Sequence, residues 1–300
     1  MKVAACRYVV GRPTGFDAFA ARQRDLLGQA AARGARVAVL PEYLSLELAA
    51  TFGPRVEGDL HASLRAIQAL RDPWLALFSD LARETGMHVA AGSFLLATAD
   101  GLYRNRCDLF APDGGHQWQD KLQLTGFEKR TGVIEPGDAL KVADLGGVRA
   151  GISICYDSEF PLPVRAQYEA GARLLLVPSC TDTEAGATRV RVGCLARALE
   201  NRFFVAQAVT AGEAPWSPAL DINTGEAVIY APMDAGFPAD GILARAGEGQ
   251  DWAIAGLEVE RLEATRASAQ VANDRDWPGQ LAPGLARARL EPFAGRVGPA

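Results

Sequence analysis

Short apolar runs rich in β-branched residues alternate along this chain with longer stretches rich in Ala, Leu and Arg, and this alternation limits the possible folds more than any other feature. Most of the runs carry few charges and are too short for helices, so they are predicted to be strands buried on both faces. Predicted strands cover residues 1–10, 37–41, 88–94, 148–155 and 174–178, and predicted helices cover residues 19–33, 73–85, 161–170 and 188–201. Strands that alternate with helices are typical of a layered α/β fold.

Two hairpins are predicted to extend the sheet. Residues 102–111 and 117–118 flank a Pro-Asp-Gly-Gly turn, and a second pair of segments flanks residues 223–225, which read Asn-Thr-Gly. Turns of this composition join antiparallel strands. Pro, Gly, Asn and Asp accumulate after about residue 267, so we predict one domain at residues 1–267 and a C-terminal arm at residues 268–300 that packs on the same subunit or on a partner.

The charge balance argues against polyanionic partners. The chain has 31 Lys and Arg against 36 Asp and Glu, a formal net charge of −5, without long blocks of like charge. Neither nucleic acid nor a membrane is therefore expected as a partner. No stretch approaches the roughly 20 apolar residues of a membrane span, and Arg7 interrupts the short apolar start of the chain. Five irregularly spaced cysteines are interpreted as reduced thiols, and the expected location is the cytoplasm.

The most informative residue is Cys155, which ends an apolar strand and precedes a helix that begins at Pro161. A thiol at a strand-to-helix turn lies near backbone N–H groups and a helix dipole, which can lower its pKa and bind an oxyanion. The alternative is a buried structural cysteine. Pro161 also stands where a phosphatase-type loop would need its phosphate-binding Arg, so that mechanism is excluded.

A catalytic thiol needs a base, and none of His61, His88 and His116 has a suitable setting. No two Cys or His residues have the spacing of zinc ligands, so no metal is expected. A carboxylate is the remaining candidate, and Glu42 follows a predicted strand at the kind of position where ligands bind in α/β sheets. Lys121 and Glu128 lie together in a second segment, although either residue alone is more often a solvated surface residue.

Three motifs in this order resemble the nitrilase superfamily, the carbon-nitrogen hydrolases, in its amidase-like branch. They are Pro41-Glu42, then Asp-Lys-Leu-x-Leu at residues 120–124, then Cys-Tyr-Asp-x-x-Phe-Pro at residues 155–161. The resemblance extends from residue 3 to about residue 262. It implies a four-layer αββα sandwich of the α/β class, a homodimer or larger homo-oligomer, and neither metal nor organic cofactor.

The resemblance also implies roles. Cys155 would be the nucleophile, Glu42 the general base and Lys121 the cation that stabilises the tetrahedral oxyanion, with help from the backbone N–H of Tyr156. Many relatives have a second glutamate after the lysine. Glu128 is preferred over Glu135 because it follows an aromatic residue and precedes the Pro-Gly-Asp turn at a family-like distance, whereas Glu135 directly precedes Pro136. The pattern departs after Pro161, where relatives often have Glu, so no substrate role is carried to that position.

Residues 179–183 follow the next predicted strand and are expected to line the pocket, with Ser179 and Thr181 as candidate substrate contacts and Cys180 as a wall. Arg189 and Arg191 either meet a substrate carboxylate or form salt bridges. The predicted activity is hydrolysis of a small linear amide through a cysteine thioester. The alternatives are a nitrilase, an N-carbamoyl amidohydrolase or an amine acyltransferase on the same triad, and a non-catalytic scaffold.

Overall fold

Thirteen strands form two hydrogen-bonded layers in the computed structural model, which describes residues 1–291. The strands are β1 (Lys2–Val9), β2 (Val37–Val39), β3 (His88–Ala97), β4 (Tyr103–Phe110), β5 (His116–Asp120), β6 (Val142–Asp144), β7 (Arg149–Ile152), β8 (Leu174–Ser179), β9 (Phe204–Glu213), β10 (Ile222–Asn223), β11 (Ala227–Tyr230), β12 (Ile242–Ala246) and β13 (Trp252–Gly256). The first layer has the order β13-β1-β2-β3-β4-β5, the second has the order β12-β11-β9-β8-β7-β6, and the two-residue strand β10 pairs with the end of β9.

Strand β1 belongs to both layers. Its first half pairs with β13 on one edge and with β2 on the other, whereas its last three residues pair with β9 of the second layer. The layers then separate and pack face to face, so that β2 and β3 contact β8. Strands β2 and β8 are buried along their whole length, as expected for strands that are covered on both faces.

Helices cover the outer face of each layer. The helices within residues 1–291 are α1 (Phe16–Ala32), α2 (Pro54–Glu57), α3 (Leu60–Ile67), α4 (Arg71–Thr85), α5 (Gly126–Thr131), α6 (Pro161–Glu169), α7 (Glu184–Asn201), α8 (Val259–Ala264) and α9 (Asn273–Asp276). Helices α1 and α4 pack together, with α4 on β3 and β4, while α6 and α7 pack on β7, β9 and β11. Trp74 of α4 anchors the first helical layer, with ring centroids 5.8 Å from Phe19 and 5.4 Å from Phe94. The predicted αββα sandwich is thereby confirmed.

One of the two predicted hairpins is present. Strands β4 and β5 pair antiparallel across the Pro-Asp-Gly-Gly turn. The segments around residue 224 do not pair with each other, so that prediction is wrong. Ile222 pairs with Glu213 and Ile229 with Ala206, both of β9, because this ten-residue strand is long enough to hold different partners along its length.

The first residues of the predicted C-terminal arm pack against the rest of the same chain. Asp274 is buried and accepts hydrogen bonds from Tyr168 (2.7 Å) and Arg266, and its carbonyl oxygen accepts one from Arg165 (2.9 Å). Leucines 281, 285 and 290 are exposed, and residues 292–300 lie outside the described residues. None of the helices within residues 1–291 combines the length and apolarity that a membrane crossing requires.

Candidate active site

Glu42, Lys121 and Cys155 follow β2, β5 and β7 and meet in one cavity of about 350 Å³. Lys121 Nζ lies 2.7 Å from Glu42 Oε1, and the Cys155 thiol donates a 3.5 Å hydrogen bond to the carbonyl oxygen of Cys180. The cavity wall also includes Tyr43, Thr125, Gly126, Phe127, Arg130, Tyr156, Glu159, Cys180, Thr181, Asp182, Gly186, Arg189, Val190, Pro218, Ala219, Asp221 and Ile222. The three motifs, which are far apart in sequence, therefore converge on one site.

A close approach of strand β3 holds the backbone around Glu42. Tyr43 has a left-handed backbone (φ 61°), and its N–H donates to Ser93 Oγ at 2.8 Å. Gly92 also has a positive φ (73°), and a Cβ added there would lie 2.3 Å from the carbonyl oxygen of Pro41. Only glycine fits this position without displacing the segment that carries Glu42.

The buried carboxylate of Asp157 ties the lysine segment to the cysteine turn. Cys155 has a left-handed backbone (φ 49°) and is the first residue of the 3-10 turn that follows β7. Asp157, two residues later, accepts the N–H groups of Leu122 (3.1 Å), Gln123 (2.7 Å) and Ile154 (3.2 Å). One side chain therefore fixes the distance between two of the three converging segments.

Lys121 lies between two carboxylates, and all three side chains are buried. Its Nζ is 2.7 Å from Glu42 and 2.9 Å from Glu128. Asn105 Nδ2 donates to Glu42 Oε1 (2.8 Å) and to Glu128 Oε1 (3.3 Å), and the hydroxyl of Tyr43 donates to Glu128 Oε1 (2.8 Å). Buried charges need such partners, and this network supplies them.

The electrostatics favour a neutral thiol beside a general base. Burial raises the pKa of Glu42, and Lys121 opposes this rise. Burial alone would lower the pKa of Lys121, but Glu42 and Glu128 outweigh it, so this pKa is raised. For Glu128, burial raises the pKa but Lys121 lowers it further. Burial, followed by Glu42, raises the pKa of Cys155. The expectation of a lowered pKa is therefore wrong, because burial and Glu42 outweigh the opposing charge of Lys121.

Almost the whole of this chain is similar to a known protein family. The family model described as carbon-nitrogen hydrolase matches residues 2–267. The chain belongs to the carbon-nitrogen hydrolase family. The resemblance inferred from the three motifs is thus confirmed, and the protein is an enzyme of the hydrolase class.

Among its relatives, the hydrolase is 28% identical over 278 residues to the probable hydrolase YhcX of Bacillus subtilis (strain 168), and it spans only 53% of that protein's length. It is 25% identical over 265 residues to the omega-amidase NIT2-A of Xenopus laevis, with 85% of this chain and 88% of the relative covered.

Solved structures of the nitrilase superfamily share the fold. Nit3 of Saccharomyces cerevisiae has a TM-score of 0.71 at 21% identity, covering 92% of this chain and 96% of that one. A cysteine-to-alanine variant of the amidase from Nesterenkonia sp. AN1, in complex with butyramide, has a TM-score of 0.66 at 22% identity, covering 89% and 95%.

Some of the other candidate residues of the hydrolase lie in the active-site cavity, and others do not. Glu128 contacts Lys121, whereas Glu135 lies elsewhere and pairs with Arg104 at 2.8 Å. Thr181 lines the cavity, but its hydroxyl donates to the carbonyl oxygen of Thr224 (2.6 Å). Tyr156 also lines the cavity.

Ser179 does not line the cavity. Its hydroxyl donates to the carbonyl oxygen of Ala208 at 2.5 Å, inside the sheet. The expectation that it contacts substrate is wrong because Ser179 is the last residue of β8, and its side chain is hydrogen-bonded to the neighbouring strand β9. Arg189 lines the cavity and lies 3.6 Å from Glu159, whereas Arg191 faces a different cavity.

Sequence reasoning missed Asn105 and Tyr43, and it assigned no role to Asp157. Asn105 gave a usable signal, because Tyr103, Asn105 and Cys107 alternate along one buried face of β4 and a lone amide on such a face needs a polar partner. Within residues 1–291, no cluster of three or more His, Cys, Asp or Glu side chains is arranged to hold a metal ion.

Proposed function

We propose that the protein hydrolyses a small linear amide through a thioester on Cys155. The observation that carries this proposal is the convergence of Cys155 with a buried Glu42 and Lys121 whose atoms lie 2.7 Å apart. A weakly acidic thiol needs a base at the moment of attack, and a carboxylate with a raised pKa is suited to accept a proton and return it near neutral pH.

In the first half of the reaction, Glu42 takes the thiol proton while Cys155 Sγ attacks the amide carbon. Lys121 and the N–H of Tyr156 then stabilise the negative charge on the substrate oxygen. The tetrahedral intermediate collapses when Glu42 gives its proton to the departing nitrogen, so ammonia or an amine leaves and a thioester remains.

In the second half, Glu42 takes a proton from water as the water oxygen attacks the thioester carbon. Collapse of the second intermediate releases the carboxylic acid, and the proton returns to Cys155 Sγ. Glu128 stays ionised because Lys121 lowers its pKa, so it holds the lysine as a cation throughout. Asn105 bonds to both glutamates and fixes their spacing.

The relatives support an amide over other substrates, since one is named an omega-amidase and a structural neighbour binds butyramide. The cavity of about 350 Å³ has the size of a site for a short acyl chain. Nitriles and N-carbamoyl compounds share the first attack on the same triad, and an amine in place of water would give acyl transfer.

The test is ammonia release from a panel of short ω-amides, aliphatic nitriles and N-carbamoyl amino acids. We expect release from the amides, with no release by Cys155→Ala. Cys180→Ala is the matched control, because it removes a second thiol from the same cavity wall, and it should keep turnover.

Equal activity of wild type and Cys155→Ala would refute the thioester. Activity confined to nitriles or carbamoyl compounds would refute the amide assignment but keep the nucleophile. If hydroxylamine added to the assay yields more hydroxamate than free acid, acyl transfer replaces hydrolysis. Silence across the panel and with hydroxylamine would favour the non-catalytic scaffold.

Two further expectations accompany the proposal. The five cysteines are all free in the structure, which supports a reducing compartment such as the cytoplasm. A homodimer or larger homo-oligomer is supported by the exposed leucines at 281, 285 and 290. Light scattering after gel filtration measures the oligomeric mass, and a monomer at micromolar concentration would contradict this second expectation.

A further inference from the structure

A second cavity, of about 310 Å³, lies on the other side of helix α7 and shares no lining residue with the candidate active site. Its walls include Gln207 of β9, Tyr230 of β11, and Thr188 and Arg191 of α7. Nothing in the proposed reaction uses these side chains, so their arrangement needs a separate explanation.

The inner wall presents an amide donor that makes no hydrogen bond within residues 1–291. Gln207 is only 3% exposed, and its Oε1 accepts a 2.8 Å hydrogen bond from the hydroxyl of Tyr230, which is fully buried. That bond fixes the carboxamide, and its Nε2 has no acceptor among the residues that the structure describes. Because Nε2 is not sealed from solvent and Gln207 lines the cavity, this amide is free to donate to a ligand atom that accepts.

The rim supplies a positive charge. Within residues 1–291, Arg191 has no carboxylate within salt-bridge distance, whereas other arginines of α7 pair with acids: Arg189 with Glu159 and Arg197 with Glu200. Arg191 and the amide of Gln207 line the same cavity, so a charged and a neutral donor face one space.

The acidic residues of this cavity already have partners. Glu226 lies 3.3 Å from Arg245, and Glu184 accepts a 2.9 Å hydrogen bond from the hydroxyl of Thr224. The groups left unpartnered are therefore donors, which favour an anionic oxygen ligand. Two nearby carboxylates oppose a second negative charge on that ligand.

We propose that the second cavity binds a small organic monocarboxylate, with one oxygen on the Arg191 guanidinium and the other on Gln207 Nε2. A planar carboxylate matches the guanidinium fork and an adjacent amide donor. The site lies against the back of the active-site wall, because Thr181 of that wall accepts a 2.8 Å hydrogen bond from the N–H of Thr224, which lines the second cavity. This inference does not rest on the proposed function.

The test is a calorimetric titration of the full chain with sodium butyrate, with sodium chloride at equal ionic strength as the blank. Arg191→Gln should weaken the binding at least tenfold, because it removes a charge-assisted hydrogen bond. Gln207→Glu keeps the shape and the bond to Tyr230 but turns the donor into a charge that repels the ligand, so it should abolish binding at this site. Arg24→Gln, which removes an exposed arginine of α1 that lines neither cavity, is the matched control and should bind like wild type.

Undiminished binding by Arg191→Gln and Gln207→Glu would overturn the proposal. An equal loss in Arg24→Gln and Arg191→Gln would also overturn it, because the effect would then follow from the net charge of the protein. Absence of binding by folded wild-type protein would refute the site. Circular dichroism of each variant verifies that it folds, and the two substitutions in the cavity test the site independently of each other.

Discussion

The close approach of β3 to the segment that carries Glu42 gives a prediction with a built-in control. Gly92→Ala places a Cβ at a left-handed backbone position and 2.3 Å from the carbonyl oxygen of Pro41, with Leu44 Cβ at 3.1 Å on the other side. Gly86→Ala creates the same type of backbone strain at the end of α4 (φ 65°), but its Cβ would meet no atom within 4 Å.

The magnitudes follow from these contacts. An L-residue in the left-handed region costs roughly 1 to 2 kcal/mol, which is the expected loss of unfolding free energy for Gly86→Ala. Gly92→Ala adds the displacement of packed backbone, a further loss of about 1 to 3 kcal/mol. The same displacement moves Glu42, and a shift of about 1 Å at a catalytic group can reduce the rate about 100-fold.

Urea unfolding and kcat/KM for the amide substrate measure both effects. Gly86→Ala should show the smaller loss of stability and keep its kcat/KM, while Gly92→Ala should lose more stability and most of its activity. Equal unfolding midpoints and equal kcat/KM for the two variants would refute the reasoning, because both glycines have a positive φ and only the Cβ added at position 92 meets packed atoms.

Three other predictions follow from buried charges. Lys121→Ala should lower kcat at least about 100-fold and the unfolding free energy by about 3 to 5 kcal/mol, since two carboxylates lose their buried partner; kinetics and urea unfolding check both. Burial raises the pKa of Asp157 to about 6, so the folded state binds a proton more tightly than the unfolded state does. From pH 7 to pH 5 the unfolding free energy of wild type should therefore rise by about 1 kcal/mol relative to that of Asp157→Asn. The same difference in unfolding free energy at both pH values would contradict this. Asp274→Ala leaves Arg266 without one of its partners, so trypsin should cleave after residue 266 faster than in wild type; equal rates contradict it.

The layered fold and the convergence of the three motifs could be predicted because both depend on local patterns. Strands such as residues 174–179 are continuous apolar runs, and residues at strand ends of an α/β sheet meet at one edge. The first residue of a helix is harder to predict from the sequence. Helix α7 begins at Glu184 and not at residue 188, because the Thr183 side chain accepts the N–H of Gly186 and caps it.

The features that could not be predicted depend on contacts between distant segments. The pKa of the Cys155 thiol follows from burial, which a turn motif does not reveal. The pairing of β10 and β11 follows from the length of β9, and the orientation of Ser179 follows from a carbonyl group on a neighbouring strand. Asn105 bonds to residues 63 and 23 positions away, so only the assembled sheet identifies its partners.

The pairing of strand β1 limits the order in which this fold can form during synthesis. Its last three residues pair with β9, roughly 200 residues later in the chain, and its first half pairs with β13, which follows later still. At synthesis rates of about 5 to 20 residues per second, β1 waits roughly 10 to 40 s on the ribosome for β9. The strand that links both layers is thus made long before two of the strands that pair with it, so its pairing is completed late in the synthesis of the fold.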